Sequence, residues 1–256
     1  MKRRLIIIAV TFIAIISILI MCYSISVSNH KFNIEVASAF YPFASSLAKN
    51  VYGQDDMVKL VSTTQAYDHI INGKADIVIA TAPSEEQEEM IQKSRVSLEF
   101  KHLYFEPLVI FLNKENNVEN LNINEIQDIY YNNIDNWNTY QLEKNNGSQT
   151  CFESIVKNNI INKKHYELRT MPEIIDRVAE DKNGIGYAFN TYYSKTHPNN
   201  KTKAIRVDEN SIEDSDYPLL FEVYMIYRTD TKNESVSKIV NWLETEKHQE
   251  FVNSIK

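Results

Sequence analysis

The stretch FNIEVASAFYPFASSLAKNVYGQDDMVKLVSTTQAYDHIINGKADIVIAT, Phe32 to Thr81, switches its hydrophobic period repeatedly. FNIEVA reads as a strand. YPFASSLAKNVYG carries Phe43, Leu47 and Val51 on one helical stripe, with Gly53 as a stop. MVKLVS is a second strand, QAYDHIING a short helix ending at Gly73, and ADIVIAT an apolar run of buried-strand length. This succession of strand and helix predicts a parallel sheet with crossover helices.

The pattern continues on the C-terminal side. EEQEEMIQKS reads as a solvated helix whose acidic run is a charged face, since no histidine is interleaved. HLYFEPLVIFLN is a long extended segment with Pro107 in its middle. A proline cannot donate to a sheet ladder, so the segment is expected at an edge or as a crossing between domains. LNINEIQDIYYNN places Ile123, Ile126, Ile129 and Tyr130 on one helical face. MPEIIDRVAEDKNG is another helix, with Pro172 near its start and Gly184 beyond its end. IGYAF and YPLLFEVYMIYR are strands, and SVSKIVNWLETE and HQEFVNSI are closing helices.

With 256 residues the chain can bury a substantial core, in one large domain or two small ones. A net charge of −7 without a basic tract argues against nonspecific nucleic-acid binding, but leaves a cleft free to attract a small anion. At the N-terminus MKRR precedes LIIIAVTFIAIISILIMC, an apolar run broken only by Thr11 and Ser17. A basic flank before such a run predicts a secretory signal or signal anchor, with the remainder exported. The run is about long enough to span a bilayer, which takes roughly 17–25 helical residues. It ends in Leu19-Ile20-Met21-Cys22, which resembles a bacterial lipobox whose cysteine is lipidated. Met21 departs from the Gly, Ala or Ser normally found there, and the alternative is an uncleaved anchor. With Cys22 in this segment only Cys151 remains, so the exported part is expected to hold no internal disulfide.

EKNNGSQTCFESIV, Glu143 to Val156, admits three readings. A helix N-terminus offers unpaired N–H donors and a partial positive charge, so the loop can hold an anion. Ser148 or Thr150 can instead simply cap the helix. Cys151 can be a nucleophile near a helix start, where a thiolate is favoured. That third reading needs a base, and none of the six histidines stands at a telling distance from it. No cluster of histidine, cysteine and carboxylate has metal-ligand spacing, and no cofactor is implied.

The order of these segments resembles the phosphate-type substrate-binding proteins of ABC transporters, members of the periplasmic-binding-protein-like superfamily. The likeness rests on YPFASSLAKNVYG, INGKADIVIATAPSEEQEE, EPLVIFLNKENNVENLNINEIQDIYYNNIDNWN, NNGSQTCFESIV, NGIGYAF and YPLLFEVYMIYR. The resemblance implies a two-lobed α/β fold of type II, each lobe a mostly parallel sheet flanked by helices, joined by two hinge strands. EPLVIFLN and LLFEVYMIYR are the candidates for those strands. Residues 1–30 would be anchor and spacer, 31–108 with 219–256 one lobe, and 109–218 the other. It further implies a non-enzymatic, extracytoplasmic bacterial protein that passes a small oxyanion, most of all phosphate, to ABC permease subunits.

The ligand-binding residues carried over from the family are Ser38, Thr63, Thr81, Lys144, Ser148, Gln149 and Thr150, with Ser62 and Thr64 beside them. Several depart from the family pattern. Lys144 stands where arginine is common and cannot form its planar fork. Gln149 occupies the middle of a Ser-Gly-Thr turn, Thr81 replaces an acidic residue, and VASAFYP has no glycine. These departures leave room for a second reading, a membrane-tethered scaffold or sensor that keeps the fold without a transported ligand.

Overall fold

The computed structural model describes residues 15–17, 31–131, 134, 136–156 and 166–255. Met1–Phe32 forms a unit separate from Asn33–Lys256, and within it residues 15–17 are helical. The expected anchor and the lipidation site at Cys22 lie outside the described residues. Among the described residues no helix is long and apolar enough to cross a membrane.

The larger unit begins as its sequence predicts. Strand β1 (Ile34–Val36), helix α1 (Tyr41–Tyr52), β2 (Val58–Leu60), α2 (Thr63–Ile71) and β3 (Ile77–Ala80) follow in order. β1 lies between β2 and β3 and is parallel to both. Gly53 closes α1 in the left-handed region at φ 79°, where a side chain is disfavoured. Ser62 and Gln65 form a reciprocal capping box on α2. Helix α3 (Glu85–Ser94) has the same device, built from Ser84 and Gln87. The inner stripe of α2 (Ala66, Tyr67, Ile70) packs with Val78, Ala80 and Ile226 in one buried cluster.

Strand β4 (Leu98–Asn113) is long enough to serve several partners in succession. Residues Leu98 to Pro107 pair antiparallel with β11 (Leu220–Arg228), which also pairs with β3. From Leu108 onward β4 pairs antiparallel with β8 (Gly184–Phe189). The exchange falls at Pro107, whose missing N–H makes a ladder bond impossible there. Leu108 N–H donates instead to the Leu219 carbonyl at 2.8 Å.

Beyond the exchange come β5 (Asn120–Leu121), α4 (Ile123–Tyr131), β6 (Asn138–Leu142), α5 (Gly147–Ile155), β7 (Tyr166–Leu168) and α6 (Met171–Glu180). β9 (Thr202–Ala204) pairs with β4, and the two-residue β10 (Arg206–Val207) with β5. β8, β6 and β7 run parallel in that order. The sheet is therefore mixed: parallel in both outer wings and antiparallel where β11, β4 and β8 meet. Helices α7 (Glu234–Leu243) and α8 (Glu246–Ile255) close the chain.

Both expected marks on α6 hold. Gly184 lies beyond the end of α6, which stops at Glu180 with Asp181 as its extended cap, and it also opens β8. A Cβ there would lie 2.9 Å from the Asp181 carbonyl oxygen, so close packing requires the glycine. Pro172 does sit within the first two positions of α6, capped by Thr170.

Candidate functional site

The loop after β6 is set by Asn146. Its side chain, in the cap position before Gly147, accepts from the Ser148 N–H at 3.2 Å and from the Ser148 hydroxyl at 3.1 Å. Ser148 and Thr150 thus lie inside the first turn of α5, and neither caps it. Asn145 precedes the cap at φ 66°, a left-handed conformation that asparagine tolerates better than most residues.

This places the start of α5 directly against the start of α2. Gly147 N–H donates to the Thr63 hydroxyl at 3.2 Å, across the sheet's partner exchange. A Cβ on Gly147 would stand 3.1 Å from Thr81 Oγ1 and 3.2 Å from Thr63 Oγ1. Thr81 is buried, its carbonyl held by the Tyr67 hydroxyl at 2.7 Å. Its own Oγ1 is buried without a regular hydrogen bond. The group facing it is the Cys151 thiol, a weak partner at best. Thr63, Thr81, Gly147 and buried Ser148 therefore gather where two helix N-termini converge. Hydroxyls at such a point, in the positive field of two helix starts, suit a small anion, while the Gly147 and Ser148 amides are engaged by Thr63 and Asn146.

The remaining candidates are placed differently. Ser38 is exposed at the start of a short 3-10 turn, Ser38–Phe40. Ser62 serves α2 as its cap, while the exposed Thr64 donates to the Asn145 carbonyl at 3.5 Å. Gln149 is buried within its own wing. Its Oε1 accepts from Leu142 N–H at 3.1 Å and from the Tyr187 hydroxyl, and its Nε2 donates to Glu153 at 2.7 Å. Thr150 is half-buried and donates its N–H to the Asn146 carbonyl at 2.9 Å.

Lys144 turns to Glu86 of α3 in an exposed ion pair. That contact holds the Glu86 carboxyl below its usual range and raises the lysine. Around it is a clasp that sequence reasoning did not anticipate. Asn145 accepts from the Ser84 hydroxyl at 2.7 Å, donates to Glu86 at 2.6 Å, and accepts at its carbonyl from Gln87 at 3.2 Å. Only the Asn-Asn doublet before Gly147, a turn signal, could have pointed to it.

Burial pushes the Cys151 thiol up to about 12, offset in part by the Thr81 hydroxyl. A thiol so protonated is a poor nucleophile, which removes the physical basis of the catalytic reading. Among the described residues no three His, Cys, Asp or Glu side chains gather as metal ligands would.

A family model described as a PBP superfamily domain matches residues 27–247. Comparison with curated proteins gives no match. Among solved structures, the chain is similar to a Clostridium perfringens protein described as a phosphate ABC transporter substrate-binding protein with bound phosphate. Identity is 17%, TM-score 0.71, with 87% of this chain and 96% of that one covered. An ABC-type phosphate transport receptor from Vibrio cholerae shares 18% identity at TM-score 0.65, covering 88% and 98%. The CcmR regulatory domain of Synechocystis, in complex with 2-PG, shares 14% at TM-score 0.59, covering 87% and 94%. At these identities the structures establish a common fold. The mixed α/β sheet flanked by helices and the family match across most of the sequence together place this chain in the PBP, or periplasmic-binding-protein-like, superfamily.

Proposed function

We propose that this chain is an extracytoplasmic solute-binding protein that clamps a small oxyanion, phosphate foremost, between two lobes for an ABC permease. One lobe comprises residues 31–108 with 219–256 and the other 109–218; EPLVIFLN of β4 and LLFEVYMIYR, which forms β11, are the hinge strands. The observation that carries the reading is the convergence of the α2 and α5 N-termini on Thr81, whose buried hydroxyl lacks a regular partner. The phosphate held by the Clostridium perfringens protein supports the choice of ligand. Thr81 cannot repel a dianion as a carboxylate would, and its hydroxyl can donate to either phosphate or sulfate. Phosphate is therefore expected to be preferred over sulfate by less than about 3 kcal/mol, the cost of one unpaired buried polar contact.

Calorimetry with phosphate, sulfate and an organic phosphate tests this. Ser148→Ala combined with Thr150→Ala should abolish binding of whichever anion the wild type takes. Tight phosphate binding with sulfate undetectable at millimolar concentration would overturn the weak-preference expectation. Silence from all three anions would favour the scaffold or sensor reading. One observation already leans that way: Gly147 N–H, a helix-start donor, is taken by Thr63.

We also propose attachment to the membrane through the first 30 residues, on the strength of MKRR and the apolar run that follows. Radiolabelled palmitate should enter the wild type and not Cys22→Ala. Equal membrane fractionation of both without label would identify an uncleaved anchor, and recovery of a trimmed soluble protein would exclude both.

A further inference from the structure

Glu106 lies one residue before the point where β4 exchanges β11 for β8. It is 3% exposed, an uncommon state for a carboxylate, and its partners come from across the exchange. Thr191 N–H donates to Oε1 at 2.6 Å and the Thr191 hydroxyl to Oε2 at 3.0 Å. Thr191 opens a π-helical turn, Thr191–Thr196, that follows β8 and packs against the Ser38–Phe40 turn beside α1. The Phe40 and Phe189 rings meet there at 5.0 Å. One carboxylate thus pins the segment after β8 to the strand that crosses between the two wings.

The charged surroundings are sparse. Tyr104 of β4 faces Glu106, and Lys195 of the turn lends it a positive field. The residue in register on β11 is Phe221, and the Ser38–Phe40 turn has no titratable side chain. Tyr192 is engaged with His197, and Tyr193 with Phe111 and Thr202. Burial pushes the Glu106 carboxyl up to about 7, with the two Thr191 bonds and Lys195 opposing that rise.

We propose that Glu106 is a proton-controlled hinge pin: the pinned arrangement is favoured with Glu106 protonated, and its ionisation favours release of the Thr191 segment to water. The sign follows from linkage. In the released state a hydrated carboxyl ionises in the ordinary glutamate range, so it gives up its proton well before the pinned one does. The pinned state is therefore fully favoured below that range and loses favour as pH rises towards 7. The inference rests on the hinge of the proposed two-lobe reading but needs no ligand.

The test is hydrogen exchange of the full-length chain without added anion at pH 5.5 and 8.0, corrected for intrinsic exchange. Peptides covering 106–110 and 189–196 should lose protection at the higher pH by on the order of tenfold, with α2 unchanged. Glu106→Gln keeps an acceptor and a donor for Thr191 and should stay protected at both pH values. Equal wild-type protection at the two pH values would overturn the proposal, whether or not the variant folds. The same pH-dependent loss in Glu106→Gln would overturn it too, and failure of oxyanion binding would leave it standing.

Discussion

Gly186→Ala should destabilise the protein by about 3 kcal/mol, near the top of the range for overpacking a core. In a domain of this size that corresponds to a melting temperature lower by roughly 10 °C. The added Cβ would fall 2.4 Å from Ile174 Cγ2 and 3.1 Å from two ring carbons of Phe111. Neither neighbour can yield. Ile174 is fully buried on α6, where a β-branched side chain is held to essentially one rotamer. Phe111 lies opposite Gly186 in the β4–β8 register, with its far side stacked on Tyr193 at 4.9 Å. Thermal unfolding of the two proteins side by side decides it, and an unchanged melting temperature would mean that α6 can lift off the sheet at little cost.

Gln149→Ala should destabilise the fold by about 2–4 kcal/mol while leaving anion affinity unaltered. The side chain fills a fully polar role inside the second wing, binding Leu142 N–H, the Tyr187 hydroxyl and Glu153 at once. The Tyr187 hydroxyl also receives the Leu142 N–H at 3.1 Å but gives its own proton to Gln149. Its ring, stacked on Phe152 at 4.2 Å beside Tyr130, cannot turn to another acceptor. Truncation would leave a buried hydroxyl short of an acceptor and open a cavity. Urea denaturation measures the first effect and calorimetry with phosphate the second. Loss of phosphate binding at unchanged stability would return Gln149 to the ligand set implied by the family.

Much of the architecture is legible in the sequence. Period two against period three and a half separates β1, α1, β2, α2 and β3 because side-chain direction within an element is a local property. Gly53 and Pro172 mark helix ends for equally local reasons, an available left-handed φ and a missing N–H. Pro107 marked the crossing in β4 by the donor it lacks. The short strands β5, β7, β9 and β10 carried no such signal, since two or three residues hold too little period to register. β6 was hidden in the same way, behind the loop that drew attention at Glu143.

The family pattern supplied the candidate ligand residues, but their contacts were not legible in it. Gln149 and Thr150 are one residue apart, yet one is sealed against Tyr187 and the other half-buried in the first turn. Lys144 read as a charge for the cleft, and nothing in its own segment foreshadows its pairing with Glu86, 58 residues away in sequence. Thr63 and Gly147, 84 residues apart, share a hydrogen bond that neither segment foreshadows. Local sequence determined which elements form and where they stop, because backbone preference and hydrophobic period act over a few residues. Which polar group each buried side chain meets was decided only by tertiary structure, because that depends on how two distant helix starts are brought together and on which atoms burial then deprives of water.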